Sequence, residues 1–243
     1  MQAVILAGGK GVRLRPFTTC IPKPLMPIDD MPILEVIMRQ LKHFDIDNIV
    51  ISLNHLADLM MAFFQTGEKL GVDISYAIEE KALGTAGPLS IIDNLDETFL
   101  VMNADLLTTV DYANLIKFHK ENGNDATICT YKKEVQISLG VIQSSGSKFV
   151  DYIEKPTYHF DVSMGIYVFN RSVVSYIPKN ERMDIPDLIK KLKEDNKRIG
   201  CYNADYDWLD IGKFDDYEKA VNTFKEKRSE FLRDEKDSIP RFE

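Results

Sequence analysis

Cysteine, histidine and tryptophan are scarce in this chain, and long apolar runs are absent. Its 243 residues hold Cys20, Cys129 and Cys201 only, far apart and without metal-ligand spacing. That excludes a disulfide framework and a cysteine-based zinc site, and the expectation is free thiols in a reducing, cytoplasmic setting. The histidines are His43, His55, His119 and His159. They read as surface or helix residues rather than ligands. No run of about 18 apolar residues occurs, which excludes a membrane-spanning helix. Met1 leads directly into a strand pattern and a glycine loop, so no secretory signal is expected. Repeats and low-complexity linkers are missing too, and one domain is the simplest organisation. The net charge of -8 argues against nucleic acid or an anionic membrane as partner.

The most telling absence is local. From Met1 to Ile28 there is no acidic residue, while Lys10, Arg13, Arg15 and Lys23 all fall in that stretch. Three of these cations alternate with Gly8, Gly9 and Gly11 in Leu6–Pro16, LAGGKGVRLRP, directly after the apolar run Ala3–Leu6. Any anion site in so acidic a chain must be made locally, and this loop has the parts for one. Glycines let backbone N–H groups approach a ligand closely, and cations stand beside them. Neither of two familiar phosphate motifs fits. The string G-x-x-x-x-G-K-[ST] does not occur, and G-x-G-x-x-G read from Gly9 meets Leu14 where its last glycine belongs. The loop follows a strand, and ligands of α/β sheets bind at strand carboxyl ends.

Val- and Ile-rich runs alternate with helical spacing through the first half. Strands are predicted at Ala3–Leu6, Ile49–Leu53, Val72–Tyr76 and Thr98–Met102, with helices at Ile33–Phe44, His55–Phe64 and Tyr112–His119. That alternation predicts an α/β fold with a largely parallel sheet and helices on both faces. After Asp125 come strand patterns at Ala126–Tyr131, Gly140–Gln143, Phe149–Ile153 and Met164–Phe169, joined by short polar turns such as Ser144–Ser147. They predict an antiparallel part. Helices follow at Ile185–Leu192, with Asp184 or Met183 near its start, and at Phe214–Phe224. A charged tail closes the chain.

Six ordered strings carry a resemblance: LAGGKGVRLRP with Ile21–Leu25 (IPKPL), Leu83–Leu89 (LGTAGPL), Asn103–Asp105 (NAD), Ile153–Pro156 (IEKP), Met164–Tyr167 (MGIY) and Trp208–Gly212 (WLDIG). Together, over nearly the whole chain, they resemble the sugar-1-phosphate nucleotidyltransferases, or nucleotide-sugar pyrophosphorylases. The LGTAGPL string looks like that of the GDP-mannose enzymes. The resemblance implies a three-layer α/β/α, Rossmann-like fold with a mixed, mostly parallel sheet. It implies a catalytic domain over 1–225, with a nucleotide half 1–123 and a sugar-phosphate half 124–225, then the tail 226–243. Many relatives add a C-terminal left-handed β-helix; this chain has no hexapeptide repeats, and a homodimer is the candidate assembly.

The implied reaction joins a sugar 1-phosphate to a nucleoside triphosphate and releases pyrophosphate. Such transfer needs positioning and charge neutralisation more than a covalent nucleophile. By resemblance, Arg13 and Lys23 are the catalytic cations, and Asp105 and Asp210 hold Mg²⁺. Leu6, Ala7, Gly8, Gly9, Gly11, Glu79, Gly84, Thr85 and Asn103 bind the nucleotide. Gly140, Glu154, Lys155, Ser163 and Gly165 bind the sugar phosphate. Two places depart from the pattern, three residues in all. Ser163-Met164 stands where relatives have Asn-Ala, and Leu139 where a tyrosine often precedes the glycine. Glu79 stands where uridylyl- and thymidylyltransferases often carry glutamine. A carboxylate only accepts hydrogen bonds, and guanine offers two adjacent N–H donors, so GTP is favoured. The alternatives are a uridylyl-, cytidylyl- or thymidylyltransferase, and a catalytically silent sugar-nucleotide sensor. Retention of Arg13, Lys23, Asp105 and Asp210 argues against silence.

Overall fold

A computed structural model describes residues 1–233. The chain runs β1 (Gln2–Leu6), β2 (Pro27–Ile28), β3 (Met31–Pro32), α1 (Ile33–His43), β4 (Asn48–Leu53), α2 (Ala57–Phe64) and β5 (Asp73–Ile78). Then follow β6 (Thr98–Asn103), β7 (Leu106–Thr108), α3 (Tyr112–Glu121), β8 (Ala126–Gln136), the hairpin β9 (Val141–Ser145) and β10 (Lys148–Ile153), and β11 (Thr157–Asn170). The end is α4 (Ile185–Glu194), β12 (Ile199–Tyr202), β13 (Trp208–Asp210), α5 (Phe214–Glu226) and α6 (Arg228–Leu232).

Seven strands form one sheet in the order β12-β8-β11-β6-β1-β4-β5. β1, β4, β5 and β6 pair in parallel, while β11 runs antiparallel to both β6 and β8. Strands from both predicted halves therefore share one ladder. Ala3–Leu6 of β1 is an unbroken apolar run because both faces of the strand are covered. Ala3 and Ile5 face a core with α1, α2, α3, α5 and α6, and Val4 faces a second core with α4. The helical layers predicted from periodicity are both there, but unequal. No helix among the described residues is long and apolar enough to cross a membrane.

The chain order steps outward from β1 to β4 and β5, then returns to the other side of β1 as β6. That reversal opens a crevice at the carboxyl ends of β1 and β6, the usual ligand position in such sheets. Leu6 and Asn103 lie side by side there, and the Ala104 N–H donates to Leu6 O at 3.2 Å.

Five short strands escape the sequence pattern, the two-residue β2 and β3 among them. β7, β12 and β13 are three or four residues long, and β13 pairs with β7 across about a hundred positions, Asp210 opposite Leu106. The predicted Ser144–Ser147 turn is shorter than expected. Ser144 and Ser145 belong to β9, and Gly146-Ser147 alone make the turn. The outer part of β8 and β11, with the β9–β10 hairpin, projects as an arm and exposes Leu139, Ile142, Phe149 and Phe160. Of the predicted tail, Arg228–Leu232 is helical and residues 234–243 lie outside the described residues.

Candidate active site at the carboxyl ends of β1 and β6

The glycine loop leaves β1 and folds into a turn, Val12–Leu14, that buries Leu14 and leaves Arg13 pointing outward. Lys23 sits in a second turn, Lys23–Leu25, with Pro22 and Pro24 buried on either side. The prolines restrict that backbone. Lys23 is only 9% exposed, which would be costly for an unpaired ammonium. Its Nζ donates to Asp105 Oδ2.

Asp105 and Asp210 come from segments a hundred residues apart. The β7–β13 pairing sets one beside the other, and the Ile211 N–H donates to Asp105 O at 3.1 Å. Partial burial first, and the charge of Asp105 second, push the Asp210 pKa above the ordinary carboxylate value, against the opposing charges of Lys23 and Arg13. Arg13 and Asp210 converge on Gly212. A Cβ there would lie 3.3 Å from Arg13 Nη1 and 3.4 Å from Asp210 Oδ2. Two carboxylates thus repel each other between two cations. That donor set fits Mg²⁺, which takes one or two carboxylates and fills its remaining positions with water and phosphate oxygens. Among the described residues no cluster of three or more metal-ligating side chains exists, so a larger all-protein cage is not available.

The raised Asp210 pKa makes a prediction. In a fold that favours the protonated form, the ionised carboxylate at neutral pH weakens the protein, and its stabilising share survives only below the carboxylate range. Without divalent metal at pH 7, Asp210→Asn is expected to melt higher than wild type, by roughly 1–3 °C after solvent screening is allowed for. That gain should shrink as pH falls through the Asp210 pKa. Melting curves in chelator from pH 4 to 8 check it, and a lower melting point for the variant at pH 7 would refute it.

Two adjoining cavities share Leu6, Gly9 and Asp105. One, of about 250 Å³, holds Gly11, Arg13, Lys23 and Gly212; the other, of about 310 Å³, holds Gly8, Glu79, Gly84, Thr85 and Asn103. A compartment lined by Arg13 and Lys23 and one lined by the Glu79 carboxylate meet at Asp105. Glu79 is buried, 6% exposed, and not the solvated loop acid that the neighbouring Glu80-Lys81 would suggest. Its Oε1 accepts from Ser52 Oγ at 2.8 Å and its Oε2 from the Leu83 N–H at 2.9 Å. Gly8 lies so close that a Cβ would come within 2.6 Å of Glu79 Oε1. A larger cavity of about 620 Å³, between Tyr131 and Asp207, contains none of the motif residues.

The sugar-phosphate candidates are less gathered. Glu154 and Lys155 are exposed neighbours, Lys155 Nζ lying 3.9 Å from Glu154 Oε1, and neither lines the two cavities. Gly140 packs against the Tyr152 hydroxyl. Ser163 Oγ is 2.8 Å from Tyr167 Oη, so the serine that replaces an asparagine is tied to a tyrosine four residues on in the same strand, β11. Gly165 does reach the crevice. With φ at +76°, it brings its backbone against Asn103, where a Cβ would meet Nδ2 at 2.5 Å. The roles of Ser52 and Tyr152 were not legible, since nothing in their local sequence marks them.

The family model for nucleotidyl transferases matches residues 2–227. A UTP–glucose-1-phosphate uridylyltransferase from Synechocystis is 36% identical over 91% of this chain and 62% of its own length. A mannose-1-phosphate guanylyltransferase catalytic subunit beta from Dictyostelium discoideum is 30% identical over 96% of this chain and 68% of its own. The crystal structure of HddC from Yersinia pseudotuberculosis, complexed with GMP-PN, superposes with a TM-score of 0.71 over 92% of this chain and 99% of its own, at 23% identity. The chain belongs to the nucleotidyl transferase family, and its mixed, mostly parallel α/β sheet has the fold of that solved neighbour. It spans about three fifths of the length of the first curated relatives it matches, 62% and 63%.

Proposed function

We propose that the chain transfers a nucleotidyl group from a nucleoside triphosphate, GTP favoured, to a sugar 1-phosphate such as that of mannose, a heptose or a related sugar. The observation that carries the reading is the meeting of Arg13, Lys23, Asp105 and Asp210 around one cavity, with Asp105 also on the wall of the second. A triphosphate fits the cationic compartment with its base in the compartment of Glu79 and Gly84. A sugar phosphate oxygen attacks the α-phosphorus; the bond to the β-phosphate oxygen breaks, and pyrophosphate leaves. Arg13 neutralises charge on the departing phosphates. Lys23, released from Asp105, bridges to the α-phosphate. Held by Asp105 and Asp210, Mg²⁺ would neutralise the phosphate oxygens that meet there. Glu154 and Lys155 are assigned to sugar hydroxyls and sugar phosphate, which requires the arm to approach the crevice.

The preference for guanine rests on Glu79. Each of its carboxylate oxygens accepts one hydrogen bond, from Ser52 Oγ and from the Leu83 N–H, and a carboxylate oxygen can accept more than one. Adjacent N–H donors of guanine would satisfy both. A second reading, uridylyl transfer to glucose 1-phosphate, is favoured by the 36% identity to the Synechocystis enzyme. Pyrophosphate release across four NTPs crossed with several sugar 1-phosphates tests both. Glu79→Gln should weaken GTP use more than UTP use, by about 1–3 kcal/mol for one mispaired buried hydrogen bond. Unchanged GTP kinetics in that variant would remove the argument for guanine, and no turnover with any pair would overturn the transfer reading.

A further inference from the structure

Asp184 occupies the N-cap position of α4, yet it does not cap that helix. An N-cap aspartate ordinarily accepts from the backbone N–H of the second or third helical residue. Here the second is Pro186, which has no N–H. The carboxylate turns instead across the molecule. Asp184 Oδ1 accepts from the Thr85 N–H at 3.0 Å and from the Thr85 hydroxyl at 3.4 Å. Thr85 answers, because its Oγ1 accepts from the Ile185 N–H at 2.8 Å. Each segment thus supplies the partner that the other lacks, across a hundred positions of sequence.

The neighbouring backbone repeats the bond. Ala86 and Gly87 N–H both donate to Met183 O, at 2.9 and 3.0 Å, and the Met183 N–H donates to Leu83 O at 2.9 Å. Gly84 is squeezed between. Its φ is +81°, and a Cβ would lie 2.6 Å from both Asp184 Oδ1 and Met183 O. So the Leu83–Gly87 loop takes its shape from Met183–Ile185 rather than from its own sequence. Gly84 and Thr85 line the same cavity as Glu79, and the Leu83 N–H also holds the Glu79 carboxylate. The outer Asp184 oxygen faces Arg182 Nη2 at 3.4 Å on the surface.

We propose that Asp184 is a positioning residue for the nucleotide: it fixes the Leu83–Gly87 loop, and through Leu83 the Glu79 carboxylate, in the conformation that receives the base. The inference rests on the reading of that cavity as the base compartment. Asp184 touches neither substrate, so its loss acts on nucleotide affinity and leaves the sugar phosphate side alone.

Steady-state kinetics with NTP and sugar 1-phosphate varied separately, equilibrium binding of GTP alone, and melting curves form the test. For Asp184→Ala the KM and Kd for GTP are expected to rise about tenfold, the loss of one charge-assisted hydrogen bond. The sugar 1-phosphate KM should stay unchanged and kcat fall by less than about threefold. Asp184→Asn keeps an acceptor at Oδ1 and should recover most of the loss. Thr85→Val removes the hydroxyl from the other side, and should raise the GTP KM even where Asp184→Ala folds poorly. An unchanged GTP KM in Asp184→Ala, or an equal rise in both KM values alongside a lower melting point, would overturn the proposal. Gly84→Ala separates the two levels. If it weakens GTP binding while Asp184→Ala does not, the Asp184 assignment fails and the base compartment stands. If neither variant changes GTP binding, the base compartment itself is wrong.

Discussion

Asp105→Asn should lower kcat by at least about 100-fold at saturating Mg²⁺, with weak nucleotide binding retained. The residue serves two charges at once. It accepts the Lys23 ammonium, and it sits beside Asp210 where a divalent ion would be held. Asparagine keeps the shape and the Ile211 N–H contact, which goes to the backbone carbonyl, so the strand end should survive. What disappears is the negative charge. Lys23 loses its counterion in a 9% exposed position, and a metal ion held as proposed would lose one of two carboxylates. Excess Mg²⁺ cannot restore either, and chelation of the wild-type protein should mimic the variant. Pyrophosphate release against Mg²⁺ concentration is the measurement. Near-normal kcat in the variant would take Asp105 out of the metal site.

The parts of the fold that can be read from sequence are those whose residues carry the pattern themselves. β1, β4 and β6 are buried on both faces, and their Val, Ile and Leu runs say so. β7, β12 and β13 carry no such pattern. They exist because a distant partner pairs with them, and three or four residues are too few for any period to show. The site divides in the same way. The cations were legible as an acid-free stretch in an acidic chain, and the glycines as a loop after a strand. The meeting of Asp210 with Asp105 was legible only through the motif resemblance, since it depends on β13 lying against β7. Glu79 shows the limit plainly. In sequence it opens Glu79-Glu80-Lys81, a solvated run by composition. It is buried because Ser52 and Leu83 hold it and Gly8 leaves it room. Asp184 was legible as a helix start, but the direction of its side chain was not, because Pro186 removes one usual partner and Thr85 supplies another from far away.

The basic residues of the glycine loop should prove unequal. Arg13 stands where the Asp210 carboxylate and the Gly212 backbone converge, at the wall of the smaller cavity. On the proposed reading its guanidinium lies near the position where negative charge grows as pyrophosphate departs. Removing one such preorganised donor typically costs roughly 100- to 1,000-fold in kcat, and Arg13→Ala is expected to fall in that range with a modest change in NTP KM. Lys10 is exposed on the same loop and lines neither cavity. Its contribution is attraction through solvent, so Lys10→Ala should raise the NTP KM slightly, and salt should erase the difference because about 0.15 M ions screen exposed charges beyond roughly 8 Å. Arg15 is exposed as well and braces no cavity wall; Arg15→Ala should resemble Lys10→Ala. Kinetics of the three alanine variants at low and high salt decide the matter. A kcat loss confined to Arg13→Ala and persisting in high salt identifies a positioned catalytic cation. Equal, salt-sensitive losses in all three would instead make the loop a diffuse field that gathers phosphate, and the transition-state role of Arg13 would be lost.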